Sequence, residues 1–188
     1  MYITDKSNPT QQSRVTYAMV HFTHQGWLTS DHNVFIFVDE SDDLEEDIPT
    51  TTFVLNVEDL EMPTLVRTHL SRNSFIDHNM YNLDGYTYHA NYESGLQVIR
   101  LNDDIKTKVS MKEVAYFHSF AQSSVVTFNG AWSVYPYFPS MNIALCTTDR
   151  VFMVSVDLDE DDDDCKHSHD SRSLLSGCSQ KMSLLQCL

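Results

Sequence analysis

The sequence is poor in positive charge. Its 188 residues carry 12 lysines and arginines against 27 acidic side chains, a formal net charge of −15. Nucleic-acid phosphates and anionic lipid surfaces repel such a chain, so no direct nucleic-acid partner is expected. No apolar run approaches the length of a membrane-spanning helix, so no membrane insertion is expected either. The amino terminus lacks a signal-peptide pattern, and proline blocks the one N-x-S/T match, Asn8-Pro9-Thr10. Three of the four cysteines, Cys165, Cys178 and Cys187, fall in a polar carboxy-terminal stretch, a poor place for a disulfide framework. Together these features predict a soluble protein made in a reducing cytosol. G-x-S-x-G, a glycine-rich phosphate loop and H-E-x-x-H are all missing. No catalytic activity is therefore expected.

What the chain does contain is a succession of short segments rich in β-branched and aromatic residues. Between Arg14 and Val156 these are "RVTYAMVHF", "NVFIFV", "TTFVLNV", "TLVRTHL", "GYTYHANY", "LQVIRL", "VAYFHSF", "SVVTF", "NIALCTT" and "RVFMVSV". Such side chains pack well on a pleated surface. In "GYTYHANY", Tyr86, Tyr88, Ala90 and Tyr92 fall on one face, with Thr87, His89 and Asn91 on the other. "NVFIFV" is apolar throughout and suits a strand buried on both faces. "MKEVAYFHSFAQ" has a helix-like length, but its aromatics favour a strand. The expected fold is all-β, an antiparallel β-barrel or sandwich of about ten short strands with a disordered acidic carboxy-terminal tail. Residues 1–14 read as an extended lead-in, 15–156 as the β domain and 157–188 as the tail.

Two stretches interrupt this rhythm. "DESDDLEED" (Asp39 to Asp47) reads as an exposed charged loop, and "SRNSFIDHNMYNLDG" (Ser71 to Gly85) as a long polar connection held out towards a partner. Cys146, in an apolar segment, reads as a buried core residue. The aromatics of "FNGAWSVYPYFP" (Phe128 to Pro139) read chiefly as core around an Asn129-Gly130 turn, with an exposed interface patch as the alternative.

Nine histidines raise the question of metal. His21 and His24 lie three apart in a presumed strand, which places them on opposite faces and disfavours a shared ion. Cys165, His167, His169 and Cys178 offer suitable ligand types for zinc without the paired spacing of a structural site. The acidic run lacks the spaced ligands and turn glycine of an EF-hand loop. Neither cofactor nor metal is expected on these grounds.

The order of parts carries one further reading. A β domain runs through "ALCTTDRVFMVSVD" into an acidic run, then into Leu174, Leu175 and Ser176, followed by Gln180, Met182 and Ser183. This resembles the end of an astrovirus capsid precursor, where a β-built spike domain precedes an acidic segment and a carboxy-terminal piece with a Leu-Leu-Ser stretch and a Gln-x-Met-Ser. The basic arm and shell domain of that family have no counterpart here. The resemblance implies a spike that projects from the virion surface as a homodimer, made in the host cytoplasm, and attaches to a host-cell receptor of protein or glycan nature. It also implies host caspases acting on the tail, with Asp157, Asp159 and Asp170 as candidate cut points. Two other readings remain open: a cytosolic β-sandwich adaptor whose acidic tail recruits basic partners, and a metal-dependent enzyme on a β scaffold.

Overall fold

The computed structural model describes residues 6–72, 74–101, 111–119, 126–156, 158 and 182–187. The described residues form three four-stranded antiparallel sheets and one short helix. The first sheet contains β1 (Thr23–Leu28), β2 (Val34–Asp39), β3 (Thr51–Asn56) and β4 (Thr64–Leu70) in that order. The second contains β5 (Asn79–Leu83), β6 (Tyr86–Asn91), β7 (Gly95–Leu101) and β8 (Met111–Phe117). The third contains β9 (Ala131–Tyr135), β10 (Asn142–Thr147), β11 (Val151–Val156) and β12 (Met182–Cys187), in the order β12-β11-β10-β9. Helix α1 (Asp42–Glu46) lies between β2 and β3. The chain is all-β, as its composition predicts.

The β5–β8 sheet is buried on both faces. On β7, Val98 joins a core with Ile143 and Leu145 of β10 and Val154 of β11, while its neighbour Ile99 joins a second core with Ile36 and Val54 of the first sheet. Adjacent residues of a strand point to opposite faces, so this sheet is the middle layer. β2 likewise buries nearly its whole length, as a continuous apolar run predicts. A two-residue turn at Asp84 and Gly85, both with positive φ, closes β5 onto β6 in the manner of Asp-Gly hairpins.

β5 is an edge of the middle sheet, and side chains rather than a ladder seal it. The Met80 amide donates to Gln25 Oε1 at 2.6 Å, and Asn82 Nδ2 donates to the Trp27 carbonyl at 2.8 Å, which ties β5 to β1. Towards the third sheet Asn79 Nδ2 donates to the Trp132 carbonyl at 2.7 Å, and Tyr137 Oη donates to the Asn82 carbonyl at 3.0 Å. Capping an edge in this way removes a template for unwanted strand pairing. Gln25→Met keeps the shape and deletes the acceptor, leaving the buried Met80 amide unpaired. The expected cost in urea unfolding is about 1–3 kcal/mol.

Several expectations need correction. Residues 14–22 form no strand; instead the Tyr17 ring packs on Phe37 and Phe53, and its hydroxyl donates to Asp39 Oδ2 at 2.6 Å. Asp39 to Asp47 is no solvated loop, because Asp39, Glu40, Asp42 and Asp43 are all buried and part of the run is helical. Ser71 to Gly85 contains β5 and the buried Ile76, Asp77 and His78, so it is not an extended polar arm. Val126 to Phe128 form no strand, and the rest of "SVVTF" lies outside the described residues. Cys146 is exposed, because β10 turns Ile143 and Leu145 inward and Cys146 away from them. The polar face of β6 does not meet water either, since Thr87, His89 and Asn91 are as buried as the apolar face. At the carboxy-terminal end, Met182–Cys187 pairs with β11 as a strand that the tail reading does not include.

Candidate functional site

Three polar side chains converge where the first sheet meets the middle one. His24 comes from β1, Glu40 directly follows β2, and His78 directly precedes β5. Their ligating atoms all lie within 4.8 Å of one another. His24 Nδ1 is 2.9 Å from Glu40 Oε2, and His78 Nε2 is 4.0 Å from Glu40 Oε1. The two imidazole centroids are 4.4 Å apart.

Surrounding groups fix each member. The Glu40 amide donates to the Phe22 carbonyl, and the preceding Asp39 accepts from the His21 and Phe22 amides at 2.9 and 2.7 Å. Asp39 therefore sets the approach to β1, and Glu40 faces the opposite way. Tyr92 Oη donates to Glu40 Oε1 at 2.6 Å. His78 Nδ1 lies 2.5 Å from the Trp132 carbonyl; a carbonyl only accepts, so this nitrogen carries the proton. His78 also sits edge-on to Tyr92 and Trp132. Burial holds the His78 pKa below its ordinary 6.5, and the nearby His24 adds to this; the carbonyl and Glu40 pull the other way.

Behind the trio lies a group of buried carboxyls. Asp42, Asp43 and Asp77 have no hydrogen bond of ordinary geometry to either oxygen among the described residues. Burial pushes Asp42 up to about 7, with the charges of Asp39 and Asp43 adding to the shift. Burial likewise pushes Asp43 to about 6 and holds Asp77 well above the usual carboxylate range. His89, wholly buried on β6, is driven down to about 3 by desolvation; its Nε2 is 2.9 Å from Thr87 Oγ1, and its Nδ1 is 4.0 Å from Asp77 Oδ1.

A second feature borders this region. Trp27, Tyr81, Tyr137, Tyr135 and Phe138 form a chain of rings, with successive centroids 4.8, 5.9 and 5.5 Å apart and Tyr135 to Phe138 at 4.9 Å. Trp27 is 42% exposed, Tyr135 48% and Phe138 39%, while the nearby Trp132 is 45% exposed. The expectation that the aromatics of Phe128 to Pro139 fill the core is thus overturned. The third sheet fills its core with Val134, Ile143, Leu145, Phe152 and Val154, leaving these rings outside.

The sequence-predicted residues fare unevenly. His21 and His24 go separate ways, His21 to Glu46 at 2.8 Å and His24 to Glu40. Asp157, Asp159 and Asp170 lie outside the described residues, as do Cys165, His167, His169 and Cys178. Sequence reasoning missed Glu40 and His78. The available signal was Asp39-Glu40 abutting an apolar strand, and Asp77-His78 enclosed by Ile76 and Met80. No protein-family model matches the chain, and no curated protein or solved structure matches it.

Proposed function

We propose that the chain is a non-enzymatic attachment domain of the capsid-spike kind, which binds a host-cell surface receptor through the ring array of Trp27, Tyr81, Tyr135, Tyr137 and Phe138. The observation that carries this reading is the exposure of Trp27, Tyr135 and Phe138 on a β scaffold, with the half-buried Tyr81 and Tyr137 linking them. A soluble domain gains nothing in folding from aromatic rings left in water, and tryptophan and tyrosine dominate the anchoring residues of interfaces. The array draws on β1, β5 and the segment that ends β9, so the sheet framework orders it before any ligand arrives. The ordering of a β domain before an acidic run, shared with astrovirus capsid precursors, supports the same reading. A homodimer, display on the virion surface and host-caspase processing at Asp157, Asp159 or Asp170 belong to it.

The test is binding of the purified chain to host cells, compared with a Trp27→Ala/Phe138→Ala variant. Two anchoring rings removed together should weaken binding by about 100-fold or more. The thermal midpoint should change little, since both rings are substantially exposed. Unchanged binding by the variant would sink the proposal. Binding that ignores the rings but vanishes with salt, or on deletion of Asp161 to Asp164, would instead favour the adaptor reading.

A further inference from the structure

His24, Glu40 and His78 present two imidazole nitrogens and one carboxylate oxygen towards a common point. The hydrogen bonds around them leave that point short of positive charge. His78 Nδ1 donates a hydrogen bond to the Trp132 carbonyl, so the Nε2 lone pair faces Glu40 Oε1 at 4.0 Å. An imidazole lone pair and a carboxylate oxygen are both acceptors and do not attract one another. A cation between them reverses that repulsion. Tyr92 holds Glu40 Oε1 from the other side, leaving Oε2 directed at His24.

These are the outer partners a metal centre uses. A ligating histidine commonly donates its second nitrogen to a backbone carbonyl, and a ligating carboxylate is itself hydrogen-bonded. The three ligating atoms lie within 4.8 Å of one another, and His24 Nδ1 is 2.9 Å from Glu40 Oε2, against roughly 3.3 Å between neighbouring ligand atoms around a tetrahedral zinc ion with bonds of about 2.0 Å. Small side-chain rotations would close the difference. The ligand set also selects the ion. Two imidazoles disfavour calcium and magnesium, which prefer oxygen, and suit a first-row divalent metal.

We propose that His24 Nδ1, Glu40 and His78 Nε2 bind one divalent transition-metal ion, zinc by ligand chemistry, with a further coordination position open on the more exposed His24 side. Such an ion joins β1 and the end of β2 to the start of β5, and so clamps the first sheet to the middle one. Trp132 and Tyr92 pack against His78, which places the ion beside the aromatic surface without making it part of the ring array. The site does not depend on the attachment reading.

The tail offers competing ligands, so the test uses the full chain carrying Cys165→Ser, His167→Ala, His169→Ala and Cys178→Ser. This background should still bind one Zn²⁺ per chain in competition titration, and Co²⁺ should give visible d–d bands without thiolate charge transfer. Adding His24→Ala or Glu40→Gln should weaken Zn²⁺ binding by about 100-fold or more, and Tyr92→Phe by about 10-fold. Zn²⁺ should raise the thermal midpoint of the background but not that of His24→Ala. His24 lies partly in solvent, so its alanine variant should keep the metal-free midpoint and show that the fold is intact. Binding that disappears with the tail substitutions, or survives His24→Ala and Glu40→Gln unchanged, overturns the proposal.

Discussion

Gly130→Ala should destabilise the protein by at least about 3 kcal/mol, seen as a thermal midpoint lowered by roughly 6–12 °C. Two independent features require glycine at this position. Its φ is 115°, a conformation that side-chain-bearing residues rarely adopt. A Cβ built there would lie 2.1 Å from the Tyr92 carbonyl oxygen and 2.8 Å from the Glu93 amide nitrogen, both backbone atoms. Nor can the neighbour give way cheaply. Tyr92 and Ala131 exchange two backbone hydrogen bonds, at 3.0 and 2.7 Å, which tie the end of β6 to the start of β9. Thr148 braces Gly130 from the other side, its amide donating to the Gly130 carbonyl at 2.9 Å.

The same substitution reaches the polar trio. Tyr92 holds Glu40, and the Trp132 carbonyl, two residues beyond Gly130, holds His78. Displacing the bridge moves both supports at once. Gly85→Ala is the control, because its φ is also positive but no atom lies within 4 Å of the added Cβ. It should show only the conformational cost, about 1 kcal/mol, and leave the trio intact. A Gly130→Ala protein no less stable than Gly85→Ala would contradict the close approach.

How much of this was legible in the sequence depended on whether the information was local. Strand identity was largely local: the β-branched and aromatic segments became β2, β3, β4, β6, β7, β8, β10 and β11, and the helix-length "MKEVAYFHSFAQ" yielded β8. Burial of polar groups was not local. Asp39 to Asp47 has the composition of a solvated loop, yet Asp39 serves two amides and a tyrosine from a segment outside the β2 neighbourhood in sequence. The alternation of β6 correctly separated Tyr88 from His89, but a middle sheet has no wet face. Thr87, His89 and Asn91 are therefore buried, with Asn91 and Gln97 in a hydrogen-bond group that reaches Ser71 and Glu113. The trio is the extreme case. His24, Glu40 and His78 come from three separate segments, so no spacing rule joins them, and only the docking of β1 on β5 brings them together.

Stability should fall as pH rises from 6.5 to 8, and Asp77→Asn should raise it at pH 8. A carboxyl with a raised folded-state pKa holds its proton in the folded chain after the unfolded chain has lost it. Its stabilising contribution is full below the unfolded value of about 4 and is lost as pH climbs through the folded value. Asp43 releases its share around 6, Asp42 around 7, and Asp77 well above the usual range. Histidines with lowered pKa act in the opposite sense. His89, His69 and His78 contribute fully above 6.5, and their share is lost as pH falls, for His89 through about 3. Above pH 6.5 only the carboxyls among these groups still titrate, so stability should fall from there to pH 8. Asp77 faces Asp39, Asp42 and Asp43, and its one basic neighbour among these groups, His89, is 4.0 Å away, too far for a hydrogen bond. Ionising it places an unpaired charge in a dry interior, a cost of several kcal/mol. Asparagine has nearly the same shape and cannot ionise. Relief of even about 2 kcal/mol at pH 8 would lift the midpoint by roughly 4–8 °C, with a smaller gain at pH 5. Urea unfolding across pH 5–8, with chelator present so that metal occupancy does not vary with pH, measures both effects. An equal gain at pH 5 and pH 8 would mean that ionisation of Asp77 is not the source of the effect, and a loss at pH 8 would mean that Asp77 is ionised and paired with a charged His89.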